Sequence, residues 1–161
     1  MVTAAFGSPA EARLVEAIRA SPEYIAELAL VATLDGAVVG HVMISRCTLR
    51  NDVAADATVS IVMLSPLAVD PTHHGKGVGG LLVTTVTALA DARGEPLVVL
   101  EGDPRYYSRF GFEPAASHGI ELPLPDWAPS AAAQVIPLTN DDPTLRGTVA
   151  YPASFHVLGD H

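Results

Sequence analysis

At 161 residues with 49% hydrophobic content, the chain suits one domain, residues 1–161, with a sizeable core. A net charge of −9 leaves little to neutralise a phosphate backbone, which argues against a nucleic-acid partner and is compatible with a cationic substrate. No apolar run approaches the roughly 20 residues of a membrane span. Met1–Gly7 carries no basic leader, and the lone Cys47 rules out an internal disulfide, so a cytoplasmic protein without membrane contact is expected.

Ser8-Pro9-Ala10-Glu11 is a helix start, with Ser8 as cap, Pro9 in the first helical position and Glu11 completing a capping box. Leu14, Val15 and Ile18 give its buried face, and Ser21-Pro22 ends it. Leu28–Leu34 reads as a strand, Asp35-Gly36 as a tight hairpin turn and Ala37–Leu49 as the partner strand. Cys47 in that strand is expected as a small buried side chain. His41 beside Val42 is expected as a satisfied core or surface histidine rather than a catalytic one. Asn51–Asp56 is a polar loop.

Ala57–Val69 is a long strand interrupted by Ser65-Pro66, where the missing proline donor predicts that the sheet opens or bulges. Asp70-Pro71 stops it. Gly75, Gly77, Gly79 and Gly80 then fall within six positions and lead into a helix that runs to about Arg93, capped by Gly94, with Val78, Leu81, Leu82, Val86 and Leu89 on one face. A glycine loop opening a helix gathers unpaired N–H donors and the positive end of the helix dipole at one spot, which suits a phosphate or pyrophosphate.

Leu97–Leu100 is a fully apolar short strand, the expected parallel partner of Ala57–Val69. Gly102-Asp103-Pro104 turns into a short helix, Arg105–Phe110. A proline-rich loop, Glu113–Pro129, either covers an acceptor or packs on the surface with Trp127 as its anchor. Ala131–Leu138 and Thr148–Phe155 are the expected final strands.

Two patterns fit the glycine loop. Gly75-Lys76-Gly77-Val78-Gly79-Gly80 satisfies G-x-G-x-x-G, and Glu101, 21 residues after Gly80, stands where a ribose-binding acid would sit in a dinucleotide site. From His74 to Gly79 the same residues fit [Q/R]-x-x-G-x-[G/A] with His in the first place. The order decides between them. A hairpin precedes the loop, five residues (Asp70 to His74) separate strand from Gly75, and only one βαβ unit is present.

That order, the His74–Gly79 loop and Tyr107 four positions before Gly111-Phe112 resemble the GNAT superfamily of N-acetyltransferases. Val98–Arg105, Leu30–His41 and the ending Arg146-Gly147-Thr148…Tyr151-Pro152…Phe155 resemble a bacterial subgroup of predicted N-acetyltransferases. The resemblance implies an α/β (α+β) fold, with a mixed, mostly antiparallel sheet, one splayed parallel pair and helices on both faces. It implies acetyl-CoA as cosubstrate, with Leu67, Ala68 and Val69 offering backbone to the pantetheine arm. His74, Gly75, Lys76, Gly77, Val78, Gly79 and Gly80 would then lie around the pyrophosphate. Two departures are His74 in place of Gln or Arg and the lack of the first strand and first helical segment that the family usually has.

On this reading the chain transfers acetyl from acetyl-CoA to a primary amine of a small molecule or peptide by direct attack. Tyr107 is the candidate general acid, because a phenol near pKa ~10 stays protonated beside a thiol of ~8.5. Glu101, at a strand end, is the acidic candidate for the base. His73 and His74 are loop-shaping or diphosphate-side groups. No cluster has metal-ligand spacing, so no metal is expected. The apolar C-terminal strand would allow a homodimer. The alternatives are an acyl-CoA-binding module without turnover and a nicotinamide-dinucleotide oxidoreductase.

Overall fold

A computed structural model describes residues 9–51 and 57–158. The Ser8 cap and residues 52–56 of the polar loop lie outside the described residues. Helix α1 (Pro9–Arg19) buries Leu14, Val15 and Ile18, as its spacing requires. Strands β1 (Ala29–Leu34) and β2 (Ala37–Asn51) form the hairpin, with Asp35 at φ 51° and Gly36 at φ 82° in its turn. Strand β3 (Thr58–Val69) follows, then helix α2 (Val78–Ala92), β4 (Leu97–Glu101), the short α3 (Pro104–Tyr107) and a 3-10 turn, Ser108–Phe110. The tail adds β5 (Glu113–Pro114), β6 (Ile120–Glu121), β7 (Ala133–Pro137) and β8 (Gly147–Ala150).

These strands make one sheet in the order β5-β7-β4-β3-β2-β8-β6, with β1 also on β2. The pairing is mostly antiparallel, and the β3–β4 pair is parallel as expected. A second, two-residue parallel contact joins β6 to β8. Helix α1 covers one face over Met43, Cys47, Leu49, Ile61, Met63, Val99 and Phe155. Helix α2 covers the other over Val42, Ile44, Val62, Leu64, Val98 and Leu100.

The proline of β3 acts as expected. Val42 faces Leu67 and Ile44 faces Leu64, so Ser65 and Pro66 together oppose Met43 in a bulge. On the other side, β3 and β4 pair only at Val62↔Val98 and Met63↔Val99. Beyond that point β4 is tied to β7 instead. The Gly102 N–H donates to Ala132 O at 2.9 Å, and Gln134 Nε2, 1% exposed, donates to Gly102 O at 3.0 Å. The two parallel strands therefore part toward their C-terminal ends.

Two expectations are corrected. The buried stripe of α2 is Gly79, Leu82, Val83, Val86, Thr87 and Ala90, while Leu81 is 65% exposed and Leu89 lies partly open. Thr87 can be buried because its hydroxyl donates to Val83 O at 2.8 Å, so hydrophobicity alone picks the wrong leucines. The last strand ends at Ala150 rather than Phe155. Pro152 has no N–H to continue it, and a 3-10 turn, Ala153–Leu158, brings Phe155 against Tyr151 with ring centroids 5.5 Å apart. Within the chain β8 pairs along its length with β2 and, at Gly147 and Thr148, with β6.

Candidate active site

The glycine loop opens a cleft at the N-terminus of α2. Asp70 closes β3 by accepting from Thr72 N and Oγ1, each at 3.0 Å. His74 Nε2 donates to Val69 O at 2.9 Å, since a carbonyl only accepts, and so ties the loop back to the end of β3. This gives the histidine at the first loop position a loop-shaping part. Gly77, the N-cap, has φ 81°, a left-handed backbone that favours glycine, and no side chain caps the helix. The first intrahelical bond there is Leu81 N to Gly77 O, so the N–H groups of Val78, Gly79 and Gly80 have no partner within the helix.

The facing wall is aromatic. Tyr106, Arg109 and Phe110 stand at i, i+3 and i+4, with the Arg109 guanidinium 4.7 Å from the Tyr106 ring centroid. The Tyr106 hydroxyl lies where a Cβ on Gly79 would be, so this close approach requires glycine. Leu67, Val69, His73, His74, Gly75, Gly77, Val78, Gly79 and Gly80 complete a cleft of about 560 Å³. Unpaired N–H donors, a helix dipole and the Arg109 cation converge on it, a donor set that fits a diphosphate.

Two other groups lie at the parting of β3 and β4. Tyr107 is not part of the cleft lining; it packs edge-on against Tyr106, with ring centroids 4.9 Å apart, and on Gly102 and Phe112, on the α2 face of the sheet. Among the described residues its hydroxyl has no hydrogen-bond partner. Burial, and then Tyr106, push its pKa up to about 12, so it is a proton donor at neutral pH. Glu101 ends β4 with the opposite parity to Leu100 and faces the α1 side. There its Oε2 accepts a hydrogen bond from the Tyr151 hydroxyl. Burial and then the Glu101 carboxylate hold the Tyr151 phenol well above its usual range.

His41 is the unexpected group. It is 1% exposed on the α1 face, opposite Ala68, and neither ring nitrogen has a hydrogen-bond partner. It is a core histidine, but not a satisfied one. Burial, and then Arg19, lower its pKa, so it is held neutral.

Comparison with known proteins identifies this arrangement. Residues 26–114 match the acetyltransferase (GNAT) domain family. The chain belongs to the GNAT family. It is therefore an acyltransferase. It is 36% identical over 153 residues to the uncharacterized N-acetyltransferase YhbS of Escherichia coli, covering 94% of this chain and 86% of that one. The uncharacterized N-acetyltransferase YjhQ of Escherichia coli is 36% identical over 124 residues, covering 76% and 67%. The crystal structure of YhbS in complex with CoA superposes with a TM-score of 0.81 at 35% identity, covering 96% of this chain and 82% of that one. A GNAT acetyltransferase from Brucella melitensis in complex with acetyl-CoA gives 0.67 at 32% identity, covering 90% and 77%.

Of the positions singled out in this GNAT sequence, the cleft gathers Leu67, Val69, His74, Gly75, Gly77, Val78, Gly79 and Gly80. Ala68 turns its side chain to the opposite face, beside His41, and only its backbone is available to a ligand on the strand. Lys76 is exposed at the rim, with Nζ 3.4 Å from His73 Nδ1. Tyr107 and Glu101 lie outside the cleft lining, on either face of the sheet. Glu101 is engaged with Tyr151, away from the glycine loop, so it does not stand as a ribose-binding acid. Sequence reading missed Tyr106, Arg109 and Phe110 as the cleft wall, although their i, i+3, i+4 spacing shows them on one helix face. It also missed Tyr151, which no local pattern links to a residue 50 positions away.

Proposed function

We propose that this GNAT protein transfers the acetyl group of acetyl-CoA to a primary amine of a small molecule or peptide by direct attack. The observation that carries the reading is the parting of β3 and β4, with a free phenol, Tyr107, on one face and a carboxylate, Glu101, on the other. The cleft lies on the Tyr107 side. The diphosphate of CoA would lie on the N–H groups of Gly75–Gly80, with Arg109 and Lys76 as cations at the rim, and the pantetheine arm along Leu67–Val69. The thioester then reaches the gap.

The chemistry follows from that placement. An ammonium acceptor gives a proton to Glu101, the freed amine attacks the thioester carbonyl, and the C–N bond forms as the C–S bond breaks. The departing sulfur takes the phenolic proton of Tyr107, and the second amine proton restores it. The sum is amide, CoA thiol and one proton from ammonium and thioester. Holding both reactants in one gap supplies most of the advantage, and proton transfer by a placed group adds about 10²–10⁴-fold.

Charge supports a cationic acceptor. From Gly111 to Leu145 the sequence holds Glu113, Glu121, Asp126, Asp141 and Asp142 and no Lys or Arg. This segment forms a cavity of about 580 Å³ lined by Leu122, Pro123, Leu124, Ala128 and Ala133, and Ala133 is the cross-strand neighbour of Glu101. Trp127, 85% exposed, is not a packing anchor of this loop.

Calorimetric titration with acetyl-CoA, NADH and NADPH, followed by a primary-amine panel with thiol release as readout, tests the proposal. Cys47 is buried and its thiol is pushed up to about 12, so it adds no background to a thiol assay. Acetyl-CoA binding with amine-dependent thiol release is expected. Binding of a nicotinamide cofactor in place of acetyl-CoA would refute it.

A further inference from the structure

Glu101 reaches Tyr151 across the α1 face of the sheet. Tyr151 follows the last residue of β8, whose Ala150 pairs with Thr48 of β2, whereas Glu101 ends β4, on the far side of β3. The chain leaves the sheet at Pro152, and the Tyr151 ring, packed against Phe155, spans the face over Cys47 to Glu101 Oε2. No other hydrogen bond to the Glu101 carboxylate exists among the described residues, and Oε1 is not sealed from solvent. One oxygen of this carboxylate is thus fixed by a neutral donor and the other is open, and Ala133, the cross-strand neighbour of Glu101, lines the 580 Å³ cavity.

We infer that Tyr151 is a positioning residue of the acetyl-transfer reaction: its hydroxyl, bonded to Glu101 Oε2, holds the carboxylate oriented so that Oε1 takes the proton of the acceptor ammonium. This rests on the reading of Glu101 as base given above. The step is a proton transfer from R–NH3+ to the carboxylate, leaving R–NH2 and a neutral Glu101 that later releases the proton to solvent. A donor that cannot itself ionise at neutral pH favours the charged form of the acid it bonds. Removing it raises the pH at which the base becomes available.

Few other groups compete for this influence. On the α1 face, β3, β4 and β7 present Ile61, Met63, Leu97, Val99, Ala133 and Val135, none of which titrates. Strand β2 presents Cys47, held neutral by burial, and, farther along, His41, also neutral, and Ser45. Helix α1 presents Glu11, a turn before Leu14 and Val15, with its pKa raised by burial, and Arg19 at its end. The turn after β8 adds the uncharged Phe155.

The test is Tyr151→Phe, read by a carboxyl NMR titration of Glu101 and by the pH–rate profile with the fastest amine of the panel above. The titration needs no acceptor. The expected result is about a tenfold fall in kcat near neutral pH with KM for acetyl-CoA unchanged, an upward shift of the acid limb, and a shift of the Glu101 titration in the same direction. Placing a fluorinated tyrosine of lower pKa at 151 keeps the ring and strengthens the donor, and should move both readouts the opposite way. If a folded Tyr151→Phe protein leaves the Glu101 midpoint and the acid limb where they were, Tyr151 merely pins the C-terminal turn and the inference falls. If Glu101→Gln keeps the full rate and the acid limb, the reading of Glu101 as base falls, and the inference with it.

Discussion

The two faces of the sheet solve opposite electrostatic problems. On the α2 face, the glycine cleft offers backbone N–H groups, a helix dipole and the Arg109 cation to an anion, and almost none of that depends on titration. On the α1 face, the groups nearest the gap are Glu101, Tyr151 and a buried neutral His41, and the adjoining Gly111–Leu145 segment holds only acidic charge. The first face recognises an anion chiefly through backbone donors and a fixed cation. The second is built from ionisable side chains. An enzyme joining an anionic donor to a cationic acceptor gains from such a partition, because neither ligand is drawn to the other's side.

The sharpest way to break this comparison is at the gap itself. Tyr107→Phe is expected to lower kcat by about 10²–10³-fold with little change in acetyl-CoA affinity, whereas Tyr106→Phe, on the cleft wall, should change that affinity and leave kcat within a few-fold. Steady-state kinetics beside calorimetry separates the two, and a reversed pattern would move the acid from Tyr107 to Tyr106.

Next in size is a test of stability remote from both ligands. Arg46 donates to both oxygens of the buried Glu95 at 2.7 Å. Arg46→Met leaves that carboxylate only the Arg93 guanidinium, whose Nε is 4.0 Å from Oε2, and should lower stability by about 2–3 kcal/mol, less than for a fully buried pair because Arg46 is 31% exposed. Urea denaturation measures the loss, and acetyl-CoA binding by the folded fraction should be unchanged.

A smaller effect is expected at the cleft. Gly79→Ala places a Cβ against the Tyr106 hydroxyl and should weaken acetyl-CoA binding about tenfold, equivalent to about 1.4 kcal/mol, by pushing the aromatic wall outward. Combining it with Tyr106→Phe should recover part of that loss; no recovery would show that the clash lies elsewhere.

The smallest effect belongs to the α1 face. Folded His41 is held below its ordinary pKa, so between that depressed value and ~6.5 the unfolded chain binds a proton that the folded chain does not. Stability should therefore fall as pH drops through ~6.5, by about 1 kcal/mol between pH 7 and 5.5. Urea midpoints across that range should show the slope in the native chain and lose this part of it in His41→Leu. An equal slope in both would assign the acid sensitivity to other groups.

How much of this was legible beforehand depended on the range of the interaction. The hairpin turn at Asp35-Gly36, the bulge at Ser65-Pro66, the N-cap glycine of α2 and the parallel β3–β4 pair all follow from local chemistry: left-handed backbone, a missing N–H, an apolar run between turns. The stripe of α2 was misplaced because Thr87 hides its hydroxyl in its own helix, which a hydropathy pattern does not show. The end of β8 was misplaced because Pro152 turns the chain toward a partner that only the packed sheet supplies.

The sequence by itself determined the family, through the order of its elements and several separate motifs, and the glycine loop and the candidate acid, each written within a few consecutive residues whose spacing maps onto one turn or one helix face. Only the tertiary structure decided on which face each group lies. The parity of β4 turns Glu101 to the α1 side, the tie of Gly102 to β7 opens the gap, and the turn at Pro152 carries Tyr151 across the sheet to the carboxylate. Those are contacts between segments far apart in the chain, set by strand order and register, and no local pattern encodes them.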